Sequence, residues 1–139
     1  MPGRLPPPSH TALSTLPVIA LDLETTGLNV RRDRVVQVGG IAMLGAKILD
    51  QPRLDCLIDP GVPIPDASTR IHGISDNDVD GAIRFGAYVE TLRELISGHV
   101  VVGHNIGFDL AVLRYEAARA DVVWHDPPAL DLAPLVGAL

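Results

Sequence analysis

The sequence predicts an α/β fold, a mixed sheet with helices packed on it, and three observations lead there. A nearly unbroken apolar run, Val18 to Leu23, meets acids at Asp22 and Glu24, the pattern of a strand buried on both faces whose end opens into a site. Two β-rich segments follow it, joined by a turn. The apolar spacing then changes to the helical period over Phe85 to Ile96, before a further short strand and helix. This order places the first strand at the centre, with three antiparallel strands at the start and one or two parallel strands later.

Each element has a local reason. Residues 1–16 hold Pro2, Pro6, Pro7 and Pro8 among Ser and Thr, so a flexible leader is expected, and the tandem prolines interrupt any signal-peptide stretch. The domain runs from 17 to 139. Thr25-Thr26-Gly27 breaks the first strand, and a polar loop leads to a second strand near Arg34. Val35 to Leu44 is rich in β-branched residues, Gly45 offers a turn, and Lys47 to Ile58 completes an antiparallel pair. Prolines at 60, 63 and 65 exclude regular structure until about Asp66, where a short helix runs through Ile71 and stops at Gly73. Ser75 and Asp78 form a capping-box pair for another short turn.

Phe85, Tyr88, Val89, Leu92, Leu95 and Ile96 share one helical face, with Gly98 as the stop. His99 to Val102 reads as a short strand, and Phe108, Ala111, Val112 and Tyr115 as the buried stripe of the next helix. Beyond Ala120 the signals weaken: Val122-Val123-Trp124 reads as an edge strand, Ala129-Leu130-Asp131 as a short strand, and Leu132 to Leu139 as a helix opening.

Composition bounds the function. The 139 residues carry 11 Lys plus Arg against 17 Asp plus Glu, a net charge of −6, so nucleic acid cannot be attracted by the surface as a whole. Any such contact is local or assisted by cations. Cys56 is the one cysteine, which excludes a disulfide framework, and no apolar run is long enough for a membrane helix. A soluble, cytoplasmic protein with no membrane contact is the expectation.

Residues two apart on a strand project from the same face, so Asp22 and Glu24 place two carboxylates close together. Such a pair needs a shared proton, an Arg or Lys, or a divalent metal. Hard carboxylate oxygens with no thiolate nearby suit Mg²⁺ or Mn²⁺. Read alone, two acids at a strand end are ordinary solvated groups. The Thr25-Thr26-Gly27 turn adds small residues past which a sugar or phosphate could approach the main chain. In the second cluster, His104-Asn105-Ile106-Gly107-Phe108-Asp109, Asn105 is expected to cap a helix and Asp109 to sit in its first turn. Here Phe108 reads as core and His104 as a buried histidine bonded to a carbonyl.

Together these residues carry a resemblance. Asp22-Leu23-Glu24-Thr25-Thr26-Gly27 resembles the first motif of the DEDD superfamily of 3′–5′ exonucleases, and His104 to Asp109 resembles its second. Between them, Val35 to Gly39 and Ile71 to Ser75 resemble segments of the branch around the proofreading (epsilon) subunit of bacterial DNA polymerase III. The resemblance covers about residues 17 to 135. It implies an RNase H-like fold and two-metal hydrolysis of phosphodiesters at single-stranded DNA or RNA 3′ ends, releasing nucleoside monophosphates.

By the same resemblance, Asp22, Glu24 and Asp109 are the catalytic metal ligands. Asp22 would bridge both ions, Glu24 would bind the water-activating one and Asp109 the second. Thr25, Thr26 and Gly27 would border the terminal nucleotide, with His72, Asn105 and Phe108 as further contacts, although packing explains those three as well.

The family's third motif, a histidine about five residues before an aspartate on a returning helix, has no counterpart here. His125 is the one histidine after Asp109 and sits before Pro127 and Pro128, and Asp131 resembles the aspartate that ends the last strand. The expectation is therefore a domain lacking its C-terminal helix, weakly active or inactive alone, belonging to a longer chain or acting beside a polymerase. The rival reading is a non-catalytic nucleotide- or metal-binding regulatory module.

Overall fold

A computed structural model describes residues 15–136. Five strands form one sheet: β1 (Pro17–Thr25), β2 (Val35–Leu44), β3 (Lys47–Leu57), β4 (Val100–Gly103) and β5 (Ala129–Asp131), in the order β3-β2-β1-β4-β5. β1 pairs antiparallel with β2 and parallel with β4, so it is central, and β4 pairs parallel with β5. The helices are α1 (Asp66–His72), α2 (Asp76–Val79), α3 (Phe85–Ile96), α4 (Ile106–Arg119) and α5 (Ala133–Val136). The leader expected over 1–16 lies almost wholly outside the described residues, as does the end of the helix expected over 132–139.

Strand alternation divides the sheet into two faces. Ile19, Leu21 and Leu23 point to one face, level with Ala42, Gly40 and Val38 on β2, while Val101 lies beside Ile19 on β4. These apolar side chains form the core with Leu54 of β3, the α3 stripe Phe85, Tyr88, Val89, Leu92 and Ile96, and Leu110, Val112 and Leu113 of α4. Each such side chain contributes roughly 1.5–3 kcal/mol by leaving water. The opposite face carries Ala20, Asp22 and Glu24, level with Ile41, Gly39 and Gln37.

Local chemistry decides the ends. Gly73 closes α1 in the left-handed conformation with its N–H on the Thr69 carbonyl at 2.7 Å. The Asp78 carboxylate accepts the Ser75 amide at 2.8 Å, completing the expected capping box. The edge strand expected at Val122 to Trp124 does not form. β5 occupies the place beside β4, and the Val123 carbonyl accepts from Arg93 Nη2 at 2.5 Å instead of joining a ladder.

Candidate active site

The pairing of β1 with β4 ends at Ala20, opposite Val102, and the two chains part there. β1 continues into Asp22 and Glu24, while β4 turns at Gly103 into α4. A Cβ on Gly103 would lie 2.8 Å from the Leu21 carbonyl oxygen, so this close parting of the chains requires glycine. The space between is a cleft of about 720 Å³ lined by Asp22, Glu24, Thr25, Gly27, His72, His104, Asn105, Phe108 and Asp109, with Leu28, Ala67, Ser68 and Ile71. All the expected site residues except Thr26 face this one space.

The electrostatics are unbalanced. None of the ion pairs among the described residues involves Asp22, Glu24 or Asp109. Arg53, two strands away, lines a smaller hollow with Asp22 and Glu24 but makes no ion pair with them. Asp109 is 5% exposed. Burial, then the charges of Asp22 and Glu24, push its pKa from 3.8 up to about 7, against a hydrogen bond from the Leu23 amide that lowers it. Burial and Asp22 also raise Glu24, while His72 opposes them. Three carboxylates thus influence one another with none of them in an ion pair among the described residues.

Whether a divalent ion fits is a matter of donor chemistry and placement. Hard oxygen donors with no thiolate among them suit Mg²⁺ or Mn²⁺. As placed, however, no three His, Cys, Asp or Glu side chains among the described residues stand close enough together to hold an ion. The donors fit in kind and share the cleft, but they must converge to bind.

The turn after Glu24 is tightly built. Thr26, expected to border a nucleotide, is instead 4% exposed: its hydroxyl donates to Asp33 Oδ1 at 3.1 Å and accepts the Arg34 amide at 2.9 Å. Its carbonyl takes a 2.7 Å bond from Ser68 Oγ. Thr26 therefore shapes the turn from inside. A Cβ on Gly27 would lie 2.5 Å from Asp33 Oδ2, which explains the glycine. Thr25 Oγ1 donates to the Gly27 carbonyl at 2.6 Å, leaving Thr25 and Gly27 as the cleft's border.

His72 is fixed at both ring nitrogens. Nδ1 accepts the Ile74 amide at 3.1 Å, which assigns the proton to Nε2, placed 3.1 Å from the Thr25 carbonyl as its donor. The ring thus ties α1 to the turn and offers the cleft its surface rather than a free nitrogen. Asn105 begins α4, yet its side chain makes no capping bond because its backbone is left-handed, with φ 54° and ψ 46°. Its N–H donates to Asp131 Oδ1 at 2.9 Å, and its side chain is left facing the cleft. The same kink exposes His104, contrary to the buried histidine expected from sequence. Leu28, 88% exposed, and Ile71, 85% exposed, were not expected at the site, although they adjoin Gly27 and His72 in sequence and form an apolar rim to the cleft.

Comparison with known proteins gives the family and the fold. Residues 19–137 match the Exonuclease (RNase_T) family. A DNA polymerase III subunit epsilon-like protein of Rhodobacter capsulatus is 35% identical over 107 residues, 76% of this chain and 15% of that protein. A DNA polymerase III PolC-type protein of Lacticaseibacillus paracasei is 28% identical over 123 residues, 88% of this chain and 8% of that one. The chain thus spans a small part of these relatives. Exonuclease I superposes with a TM-score of 0.77 over 89% of this chain and 30% of its own, at 20% identity, which shows the shared RNase H-like fold.

Proposed function

From the premise that the chain belongs to the Exonuclease family, as a DEDD-type domain of the DNA polymerase III epsilon kind, we propose that it removes nucleotides from single-stranded DNA or RNA 3′ ends and releases nucleoside monophosphates. The observation that carries this reading is the meeting of Asp22, Glu24 and Asp109 at one cleft, none of them held in an ion pair among the described residues. Exonucleases of this kind use divalent metals. Asp22, Glu24 and Asp109 would hold two Mg²⁺ or Mn²⁺ ions, which would supply Lewis-acid stabilisation of charge on the phosphoryl oxygens.

The chain's own groups select and hold the end. Thr25 and Gly27 border the sugar-phosphate, and the His72 ring, fixed at both nitrogens, keeps the Thr25 carbonyl in place. Leu28, Ile71 and Phe108 offer an apolar rim for a base that has left its stack, which favours an unpaired end. Asn105 presents its amide to the same pocket. Among the described residues no histidine stands as a fixed base for the attacking water. His72 has no free nitrogen, His125 lies outside the cleft, and His104 is exposed without a hydrogen bond to orient it. We therefore expect hydrolysis by these 139 residues to be about 10²- to 10⁴-fold slower than with a positioned base.

The lack of a fixed base is also what favours the second reading, a nucleotide- or metal-binding regulatory module. The names of the relatives favour a cytoplasmic place beside, or within, a replicative polymerase. No helix among the described residues is long and apolar enough to cross a membrane. The test is a 3′-labelled single-stranded oligonucleotide incubated with Mn²⁺ and the protein. Slow release of labelled monophosphate that Asp22→Ala abolishes supports the exonuclease. Binding of a monophosphate with no release over days supports the module, and equal release by both proteins removes the site assignment.

A further inference from the structure

α4 carries Asp109 near its start and Glu116 two turns later, and Glu116 is 2% exposed yet lines no part of the cleft. Its carboxylate accepts from Arg34 Nε at 2.5 Å and Nη2 at 3.3 Å, and from Arg119 Nη1 at 3.0 Å. The backbone of Arg34 is bound in turn to the site: its N–H donates to Thr26 Oγ1 at 2.9 Å, and its carbonyl accepts the Thr26 N–H at 2.8 Å. Asp33, next to it, is the carboxylate against which Thr26 and Gly27 pack. A second strut runs from Arg119 Nη2 to the Arg31 carbonyl at 2.5 Å.

A continuous chain of contacts therefore joins the helix that bears Asp109 to the turn that follows Glu24. A buried ion pair of this kind is a poor device for raw stability, because desolvation offsets most of the attraction, whereas the two-nitrogen grip of an arginine fixes geometry. We propose that Glu116 and Arg34 form a positioning pair that sets the separation between α4 and the Thr25–Gly27 turn, and with it the fit of the terminal nucleotide. The proposal rests on the exonuclease reading, since it takes that turn as the border of the nucleotide. Neither residue touches the nucleotide in this scheme. Both act through Thr26.

The test uses the 139-residue protein, Glu116→Gln and Arg34→Lys, with Mn²⁺ alone and then thymidine 5′-monophosphate in saturating Mn²⁺ as probes. Calorimetry is run well below each protein's unfolding midpoint, alongside amide hydrogen exchange. Because Glu116→Gln leaves two arginines facing a neutral amide and risks misfolding, Arg34→Lys supplies the second arm: it keeps the charge and loses the two-nitrogen grip. The expected result is Mn²⁺ affinity within about twofold of the parent, monophosphate affinity lowered about tenfold, and faster exchange at Thr26 and Arg34 while Leu23 and Val38 are unchanged.

Folded variants with unchanged monophosphate affinity and unchanged Thr26 exchange would overturn the proposal in favour of a purely structural ion pair. A parallel fall in Mn²⁺ affinity would overturn it too, placing the effect at the acids rather than the turn. A parent that binds neither probe removes the exonuclease reading and the proposal together, which distinguishes that failure from a failure confined to the variants.

Discussion

Asp109→Asn should make the metal-free protein more stable, and the structure sets how much. Asp109 is buried, its pKa stands at about 7 instead of 3.8, and no cation offsets its charge. At about 1.4 kcal/mol for each tenfold, that displacement amounts to about 4 kcal/mol. The sign follows from proton counting. Between pH 3.8 and 7 the folded chain keeps a proton that the unfolded chain has lost, so stability falls as pH rises through this window. Below it both states are protonated and the group contributes nothing. Above about pH 7 the full cost is present. Asparagine keeps the shape and the acceptor for the Leu23 amide but does not ionise, so it escapes the cost.

Urea denaturation with EDTA at intervals from pH 4 to 8.5 should show the two proteins nearly equal near pH 4. They should diverge to about 4 kcal/mol above pH 7.5, or roughly 12 °C in thermal midpoint for a domain of this size. Mn²⁺ should narrow the gap by stabilising the parent alone. An asparagine variant no more stable than its parent at pH 8, or a gain independent of pH, would refute the uncompensated buried charge.

Other outcomes follow from the same geometry. Mn²⁺ alone should raise the melting temperature of the parent only slightly, because the three carboxylates must converge to hold it, and a large shift at micromolar metal in a thermal-shift assay would contradict that. Gly27→Ala should weaken thymidine monophosphate binding in Mn²⁺ by tenfold or more, since its methyl group would meet the Asp33 carboxylate; calorimetry showing unchanged affinity would mean that the turn yields. Leu92→Ala, at a site fully enclosed by the core, should cost about 2–5 kcal/mol in urea denaturation while leaving Mn²⁺ affinity unchanged.

Much of this molecule could be read from the chain, for reasons visible in particular residues. The apolar run before Glu24 read as a strand buried on both faces; the strand forms, but only the face of Ile19, Leu21 and Leu23 is buried, and alternation put Asp22 and Glu24 on the other. Gly73, Gly98 and the Ser75–Asp78 pair mark ends that the backbone needs. What escaped depends on partners far away in sequence. That Thr26 turns inward follows from Asp33 and Ser68, and that His72 has no free nitrogen follows from Ile74 and Thr25. The left-handed Asn105, held by Asp131 across 26 residues, exposes His104 and frees the Asn105 side chain. Val122 to Trp124 had strand composition, but the place beside β4 is taken by β5. Leu28 and Ile71 were signalled only as apolar residues standing beside Gly27 in a polar turn and beside His72 at the end of a polar helix.

The most direct measurement is an anomalous difference map from crystals grown with Mn²⁺ and a nucleoside monophosphate at pH 8. The account predicts Mn²⁺ peaks about 2.0–2.3 Å from carboxylate oxygens of Asp22, Glu24 and Asp109, with the phosphate against the same ions and the base at Leu28 and Ile71. Carboxylates left bare beside a bound nucleotide, or manganese bound only elsewhere on the protein, would contradict it.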